Sequence, residues 1–138
     1  MNQDLARLAE QYWEYRLEVE PTRALMLGDH RFDGRHESVS RASEDAHIDR
    51  LRSFVRDVTA FDETSLSPDE RITRDVLIET ASAEADMDEA RLTEVAVNPA
   101  VGIQAMMPVT IPQLPITLPE HADRLVDKYH GIGRMFTE

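Results

Sequence analysis

The loop from Asp29 to about Val39 carries the densest group of side chains in this sequence that could do chemistry. Its carboxylate, imidazole and guanidinium groups include Asp29, His30, Arg31, Asp33, His36 and Glu37. Imidazoles and carboxylates can bind zinc, but the spacing of these residues fits no established metal motif. Asp and Gly turn chemistry explains most of them. On that interpretation Asp29 caps a turn, Arg31 pairs with an acid and His30 is hydrogen-bonded in place.

The functional alternative for the same loop is that it reaches a substrate cleft, where His30 or Arg31 contacts a substrate terminus. We therefore predict Asp29, His30 and Arg31 as substrate-binding residues. We predict no catalytic residue and no metal ligand in this chain. His121 and His130 lie nine residues apart on the last predicted helix and cannot share one helical face, so we expect both at the surface or facing a partner.

Composition limits the classes of function. A chain of 138 residues is most simply one domain. A net charge of −12 without a basic stripe argues against nucleic-acid binding. The sequence has no Cys, which excludes disulfides and thiolate metal sites. The first residues contain no apolar signal core, so we predict a cytoplasmic location.

Apolar periodicity predicts an all-α fold of about five to six helices. The predicted helices cover residues 3–19, 22–27, 41–61, 68–90 and a last segment that begins near Glu120. Gly28 is placed to end the second helix in a left-handed conformation. Only a few residues separate the third and fourth helices, which predicts a long antiparallel pair. Ser67 and Thr117 each begin the pattern of a capping box.

Each predicted helix has an apolar stripe that we expect in the core. Trp13 lies beside the stripe of the first helix and widens it, and Tyr12 and Tyr15 are expected to pack with it. The stripe of the third helix is Ile48, Leu51, Val55 and Val58, with Phe54 and Phe61 alongside. That of the fourth helix is Ile72, Val76, Ala83, Met87 and Ala90, with Leu77 alongside. The last helix contributes Ala122, Leu125, Val126 and Tyr129.

The segment 95–119 is uncharged and rich in proline. Its length would permit a membrane span, but Asn98, Gln104 and the prolines argue against one. We predict a short helix over 101–107 and an extended conformation from Pro108 onward. Its apolar side chains predict a buried connection, the lining of a groove, or a surface that docks on a missing C-terminal part of the same protein or self-associates.

Three regions follow from this pattern: charged helices over 1–94, the proline-rich connection over 95–119, and a C-terminal helix over 120–138. Gly131 and Gly133 are expected to interrupt the last helix. Met135 begins a run that looks like the first turn of another helix. We therefore expect residues 1–138 to be a single helical region and an incomplete domain.

The order of several motifs resembles a known family. These are an opening helix with Tyr and Trp, the segment Leu27-Gly28-Asp29-His30-Arg31, the segment Leu66-Ser67-Pro68-Asp69-Glu70-Arg71, and Asn98-Pro99. Together they resemble the N-terminal region of the domain-of-unknown-function family 885, whose proteins look like large helical zinc metallopeptidases. The resemblance implies a fold of many helices around a long cleft. It also implies a downstream His-Glu-x-x-Pro-Gly-His motif that holds zinc and activates water.

This chain does not contain that zinc motif. Ser38-Val39-Ser40 follows His36-Glu37, so the second histidine ligand is missing. Zinc is therefore expected only in the complete family protein, and no cofactor in this chain. The function that the resemblance implies is an N-terminal fragment of a metallopeptidase-like hydrolase, which forms a wall of the peptide-binding cleft and is not catalytic by itself. The alternative is a non-catalytic helical binding or scaffold module with 95–119 as its partner surface.

Overall fold

The computed structural model describes residues 2–91, 99–100, 102–135 and 137. In these ranges the chain forms six α-helices and no strand, which confirms the predicted all-α fold. The helices are α1 Gln3–Val19, α2 Pro21–Met26, α3 Arg41–Thr59, α4 Pro68–Glu89, α5 Ile103–Thr110 and α6 Pro119–Met135. None of the described helices combines the length and the apolar character needed to cross a bilayer.

Backbone contacts divide the chain into two compact units. The first unit contains Met1–Tyr15 and Arg41–Leu92, and the second contains Arg16–Ser40 and Thr93–Glu138. The three regions that we predicted along the sequence stay a prediction.

The helices α3 and α4 form the predicted antiparallel pair in the first unit. Near one end Arg91 donates to Glu44, and further along α3 Arg52 donates to Glu89 at 3.0 Å. The apolar stripe of α3 is largely as predicted, with Ile48, Leu51, Phe54 and Val58 buried and Val55 and Phe61 half-buried. A regular stripe of large residues was sufficient to place the face of this helix.

The start of α4 is the predicted capping box. Ser67 Oγ accepts from the backbone N–H of Glu70 at 3.4 Å, and Glu70 Oε2 accepts from the N–H of Ser67 at 2.8 Å. Pro68 occupies the first turn, where its missing N–H costs no helical hydrogen bond. Local side-chain chemistry therefore fixes where α4 begins.

The predicted core face of α4 is wrong. Ile72, Val76 and Met87 are 62%, 57% and 65% exposed, whereas Ala81 and Ala85 are buried against Leu51. The predicted stripe contained the largest apolar residues, but the small alanines let α3 and α4 approach closely. Leu77, which we predicted beside the stripe, is half-buried against the cluster of Leu5, Val58 and Leu66.

One prediction for α1 also fails. Tyr12 and Tyr15 pack against the cluster of Leu51, Ala81 and Ala85, as expected for core aromatic residues. Trp13, however, is 44% exposed and does not widen the buried stripe. It follows Tyr12 by about 100° around the helix, which turns it away from the face that Tyr12 buries.

In the second unit α2 ends in a Schellman motif at Gly28. The N–H of Gly28 donates to Leu25 O at 2.9 Å, and the N–H of Asp29 donates to Ala24 O at 2.9 Å. Gly28 has a φ of +85°, which a residue with a Cβ adopts only with strain. This confirms the predicted C-terminal cap and orients the chain that follows.

The proline-rich segment is more helical than predicted. α5 continues through Pro108 to Thr110, and a one-turn 3₁₀ helix follows over Ile111–Gln113. The extended conformation begins only at Leu114. A proline removes one helical hydrogen bond, and the short α5 tolerates that loss. Residues 95–98 and 101 of the predicted segment lie outside the described residues.

The helix α6 is continuous, so the predicted interruption at Gly131 and Gly133 is wrong. Each glycine costs about 1 kcal/mol relative to alanine in a helix, and continuation buries Met135, which is 3% exposed. Burying such a side chain contributes about 1.5–3 kcal/mol. Met135 therefore belongs to α6. Residues 136 and 138 of the predicted next turn lie outside the described residues.

Candidate functional site

The loop after α2 is ordered by its own side chains. Asp29 caps a one-turn 3₁₀ helix over His30–Phe32 and accepts from the N–H of Arg31 at 3.1 Å. The Arg31 guanidinium also bonds the Asp29 carboxylate, with Nη2 2.6 Å from Oδ2. This side-chain hydrogen bond from Arg31 lowers the pKa of Asp29 below its usual value. The turn that we predicted for Asp29, His30 and Arg31 is thus present.

His30 connects this loop to α6. Its Nδ1 donates to Asp33 Oδ2 at 2.8 Å, and its ring stacks on that of His121 with centroids 3.6 Å apart and planes 13° apart. Asp33 and His121 are only 2% and 7% exposed. The loop and the start of α6 therefore share one buried polar cluster.

The predicted surface position of His121 is wrong. The residue that contacts Thr117 is His121 and not the Glu120 of the expected capping box. Its Nδ1 lies 3.2 Å from Thr117 Oγ1 and accepts from the Thr117 N–H at 3.4 Å. α6 begins at Pro119, which places His121 in its first turn, where its ring stacks on that of His30. His130, in contrast, is exposed as predicted.

The buried face of α6 includes Lys128 and His121 beside Met135, so the predicted apolar stripe of this helix is wrong. Lys128 is 2% exposed, whereas Val126 and Tyr129 are 54% and 47% exposed. Lys128 Nζ donates to the Arg35 carbonyl at 2.7 Å. Burial lowers the pKa of Lys128 because the charged ammonium is taken out of water. This contact holds the loop of the second unit against α6.

His36 and Glu37 have structural partners. His36 Nε2 donates to the carbonyl of Lys128. Glu37 accepts from the backbone N–H of Thr22 at 2.8 Å and from its hydroxyl at 3.0 Å, in the first turn of α2. Both residues therefore close the loop onto its neighbours.

An open depression of about 620 Å³ lies beside this cluster. Its lining consists of Leu27, Gly28, Asp29, His30, Arg31 and Arg124. The three residues that we predicted to bind substrate all contribute to it, and their role stays a prediction. Arg124 comes from α6, and its Nη1 donates to the carbonyl of His30 at 3.0 Å. Two guanidinium groups and one carboxylate thus surround the depression, which favours an anionic ligand.

Comparison with known proteins gives one match. The family described as "Bacterial protein of unknown function (DUF885)" matches residues 21–138. The chain belongs to the DUF885 family. No curated protein and no solved structure matches it. The matched residues include the loop, the depression and all of α6. The metallopeptidase-like activity that the resemblance implied and the cytoplasmic location stay predictions.

A second polar cluster of this DUF885 chain lies between α3 and α4, in the first unit. His47 Nδ1 accepts from the Tyr15 hydroxyl at 2.7 Å, and His47 Nε2 lies 3.1 Å from Glu84 Oε1 and 3.7 Å from Asp88 Oδ2. The sequence did not predict this cluster, because a histidine on a charged helix face has no local signal. Its contacts join α3 to α4 beside the alanine interface.

Proposed function

We propose that the second unit of this DUF885 chain contributes a wall of the substrate cleft in a metallopeptidase-like hydrolase. In this proposal the depression at Asp29–Arg31 binds an acidic group of a peptide, such as its terminal carboxylate. The observation that carries it is the presence of Arg31 and Arg124 at one depression, each held by a neighbouring residue. Hydrolysis would belong to the zinc motif of the complete family protein, and this chain would supply binding.

Charge supports an anionic ligand at this place. The chain as a whole carries −12, so an acidic peptide gains attraction only where cations are concentrated. At the depression Arg31 and Arg124 outnumber the single carboxylate of Asp29. Arg124 donates to the His30 carbonyl from one nitrogen. Arginine has five N–H donors in a planar arrangement, so the same side chain can also bind a carboxylate.

The decisive experiment compares two forms of one peptide. We would titrate tri-alanine with a free C-terminal carboxylate, and tri-alanine with an amidated C-terminus, into the ¹⁵N-labelled chain. We expect the free acid to shift the amide signals of Gly28 and Arg31, and the amidated peptide to leave them unchanged. Arg124→Gln should weaken binding of the free acid about tenfold or more, since a hydrogen bond to a charged group contributes about 1.5–3 kcal/mol.

Arg56→Gln is the matched control for this titration. Arg56 is an exposed arginine of α3 in the first unit, so its replacement changes the net charge equally without touching the depression. Binding should be the same in this variant as in the unaltered chain. Equal affinity for the amidated peptide and the free acid would refute carboxylate recognition. If both substitutions weaken peptide binding equally, the net charge of the chain, and not the depression, explains the binding.

A binding or scaffold module remains the second candidate, because large apolar side chains of the second unit are exposed. In the proline-rich segment these are Met106, Val109, Ile116 and Leu118, which are 41–52% exposed. Contiguous apolar surface commonly marks a protein interaction site. The partner on this proposal is the C-terminal part of the same protein or a second copy of the chain.

A further inference from the structure

We propose that His30, Asp33 and His121 form a binding site for a divalent transition-metal cation such as Zn²⁺. One ligand atom from each of the three residues lies within 4.8 Å of the other two. Two imidazoles and one carboxylate form a donor set that zinc and related cations accept. This site shares His30 with the depression but does not rest on the carboxylate-binding role proposed there, and it departs from our prediction that the chain holds no metal ligand.

Local backbone geometry brings the first two ligands together. His30 begins the 3₁₀ helix His30–Phe32, and Asp33 is its C-cap. In a 3₁₀ helix the side chains at positions i and i+3 eclipse each other, which places the imidazole of His30 beside the carboxylate of Asp33. His121 reaches the same place from the first turn of α6. From the sequence alone one can see that His30 and Asp33 are three residues apart, but not that His121 lies beside them.

Asp33 provides the second line of evidence. Its side chain is 2% exposed, and Oδ2 accepts the hydrogen bond from His30. Its other oxygen, Oδ1, is buried and has no hydrogen-bond partner among the described residues. Lys128 Nζ donates to the Arg35 carbonyl and makes no hydrogen bond to Asp33 Oδ1. A buried carboxylate oxygen without a partner is costly, and a bound cation would remove that cost.

The two histidine rings lie close enough for both to bind one cation after one ring rotates. Their planes are nearly parallel, with centroids 3.6 Å apart. An imidazole nitrogen donates its lone pair in the plane of the ring, so one ring must turn for both nitrogens to face the same ion. The hydrogen bond from His30 to Asp33 holds a proton, and a cation can take its place when His30 changes tautomer. With zinc–ligand bonds of about 2.0–2.2 Å, tetrahedral ligand atoms lie about 3.3 Å apart. The ligand atoms here lie within 4.8 Å of one another, and His30 Nδ1 and Asp33 Oδ2, now 2.8 Å apart, move slightly further apart when a cation replaces the proton.

The site is tested by titrating zinc into the unaltered chain in a calorimeter. We expect one equivalent to bind. Asp33→Asn and His121→Asn should each weaken binding by at least about 100-fold, because they remove a direct ligand. His47→Asn is the matched control, since His47 lies in the other cluster of one histidine and two carboxylates. It should bind zinc as the unaltered chain does. Circular dichroism establishes that each variant is folded.

A second measurement needs no substitution. Long-range ¹H–¹⁵N spectra of the histidine rings in the unaltered chain show which imidazoles bind zinc. We expect the signals of His30 and His121 to change at one equivalent and those of His36, His47 and His130 to stay in place. Absence of saturable binding, or a change confined to His47, would overturn the proposal. Loss of the peptide effect with zinc binding intact would refute only the carboxylate-binding role.

Discussion

The helix α4 packs against α3 through alanines, and two identical substitutions two residues apart test this packing. Ala85 is fully buried beside Leu51, whereas Ala83 is exposed. Two residues along a helix differ by about 200° in direction, so leucine at 85 enters the interface and leucine at 83 faces solvent. Leucine is also a strong helix former, so helix propensity changes little at either position.

The expected difference follows from the complete burial of Ala85. Leucine adds three carbon atoms to a site that Tyr12, Tyr15 and Leu51 already surround. Overpacking of this kind costs about 1–3 kcal/mol, whereas an exposed substitution changes the free energy of unfolding by less than about 0.5 kcal/mol. With a urea dependence of about 1–3 kcal/mol per molar, the Ala85→Leu variant should unfold about 1 M urea earlier.

The fluorescence of Trp13 provides the assay. It is the single tryptophan of the sequence and belongs to the first unit together with α3 and α4. We would follow urea unfolding through the fluorescence of Trp13 in three proteins: the unaltered chain, Ala83→Leu and Ala85→Leu. Destabilisation by Ala83→Leu with a neutral Ala85→Leu would refute the observed orientation of α4. That result would instead support the originally predicted buried face of α4, with Ile72, Val76 and Ala83.

A double substitution makes the test more specific. Leu51→Ala alone should cost about 2–5 kcal/mol, because it leaves a cavity in the core. Combining it with Ala85→Leu returns volume to the same place, so the pair should be less destabilised than the sum of the two single variants by about 0.5–3 kcal/mol. Strict additivity would mean that the two side chains do not share one packing site.

Two further predictions concern the second unit. Burial, then the nearby Lys128 ammonium, lowers the pKa of His36. The unfolded chain therefore binds more protons once the pH falls below about 6.5, and stability is full above that pH and lost below it. The urea midpoint of the second unit should fall between about pH 7.5 and 5.5 and fall less in His36→Gln. The exposed Val109 and Ile116 predict self-association or binding of a hydrophobic dye, and a monomer without dye binding would contradict this.

The sequence predicted those parts of the fold that depend on neighbouring residues. The capping box at Ser67 and the glycine cap at Gly28 were predictable because their hydrogen bonds join residues at most a few positions apart. The turn at Asp29 was predictable for the same reason. The stripe of α3 succeeded because its large apolar residues all face the interior.

The failures share a different physical origin. In α4 the choice of face depended on how closely α3 could approach, and this made Ala85 more important than Met87. The candidate metal cluster required His121 to meet His30, a contact between residues 91 positions apart. Apolar periodicity also assigns histidine and lysine to the solvent, so it cannot predict the burial of Lys128.

The burial of Lys128 gives the chain an internal chemical reporter. It is the single lysine of the sequence, beside fourteen arginines, and its amine is enclosed between α6 and the loop that carries Arg35. Acylating reagents attack the neutral, solvent-accessible form of an amine. Their rate of reaction at this side chain therefore measures how often α6 and the loop separate. A ligand or cation that holds the two elements together would slow that reaction, so the acylated fraction of the peptide that contains Lys128, measured by mass spectrometry, reports binding without any attached dye.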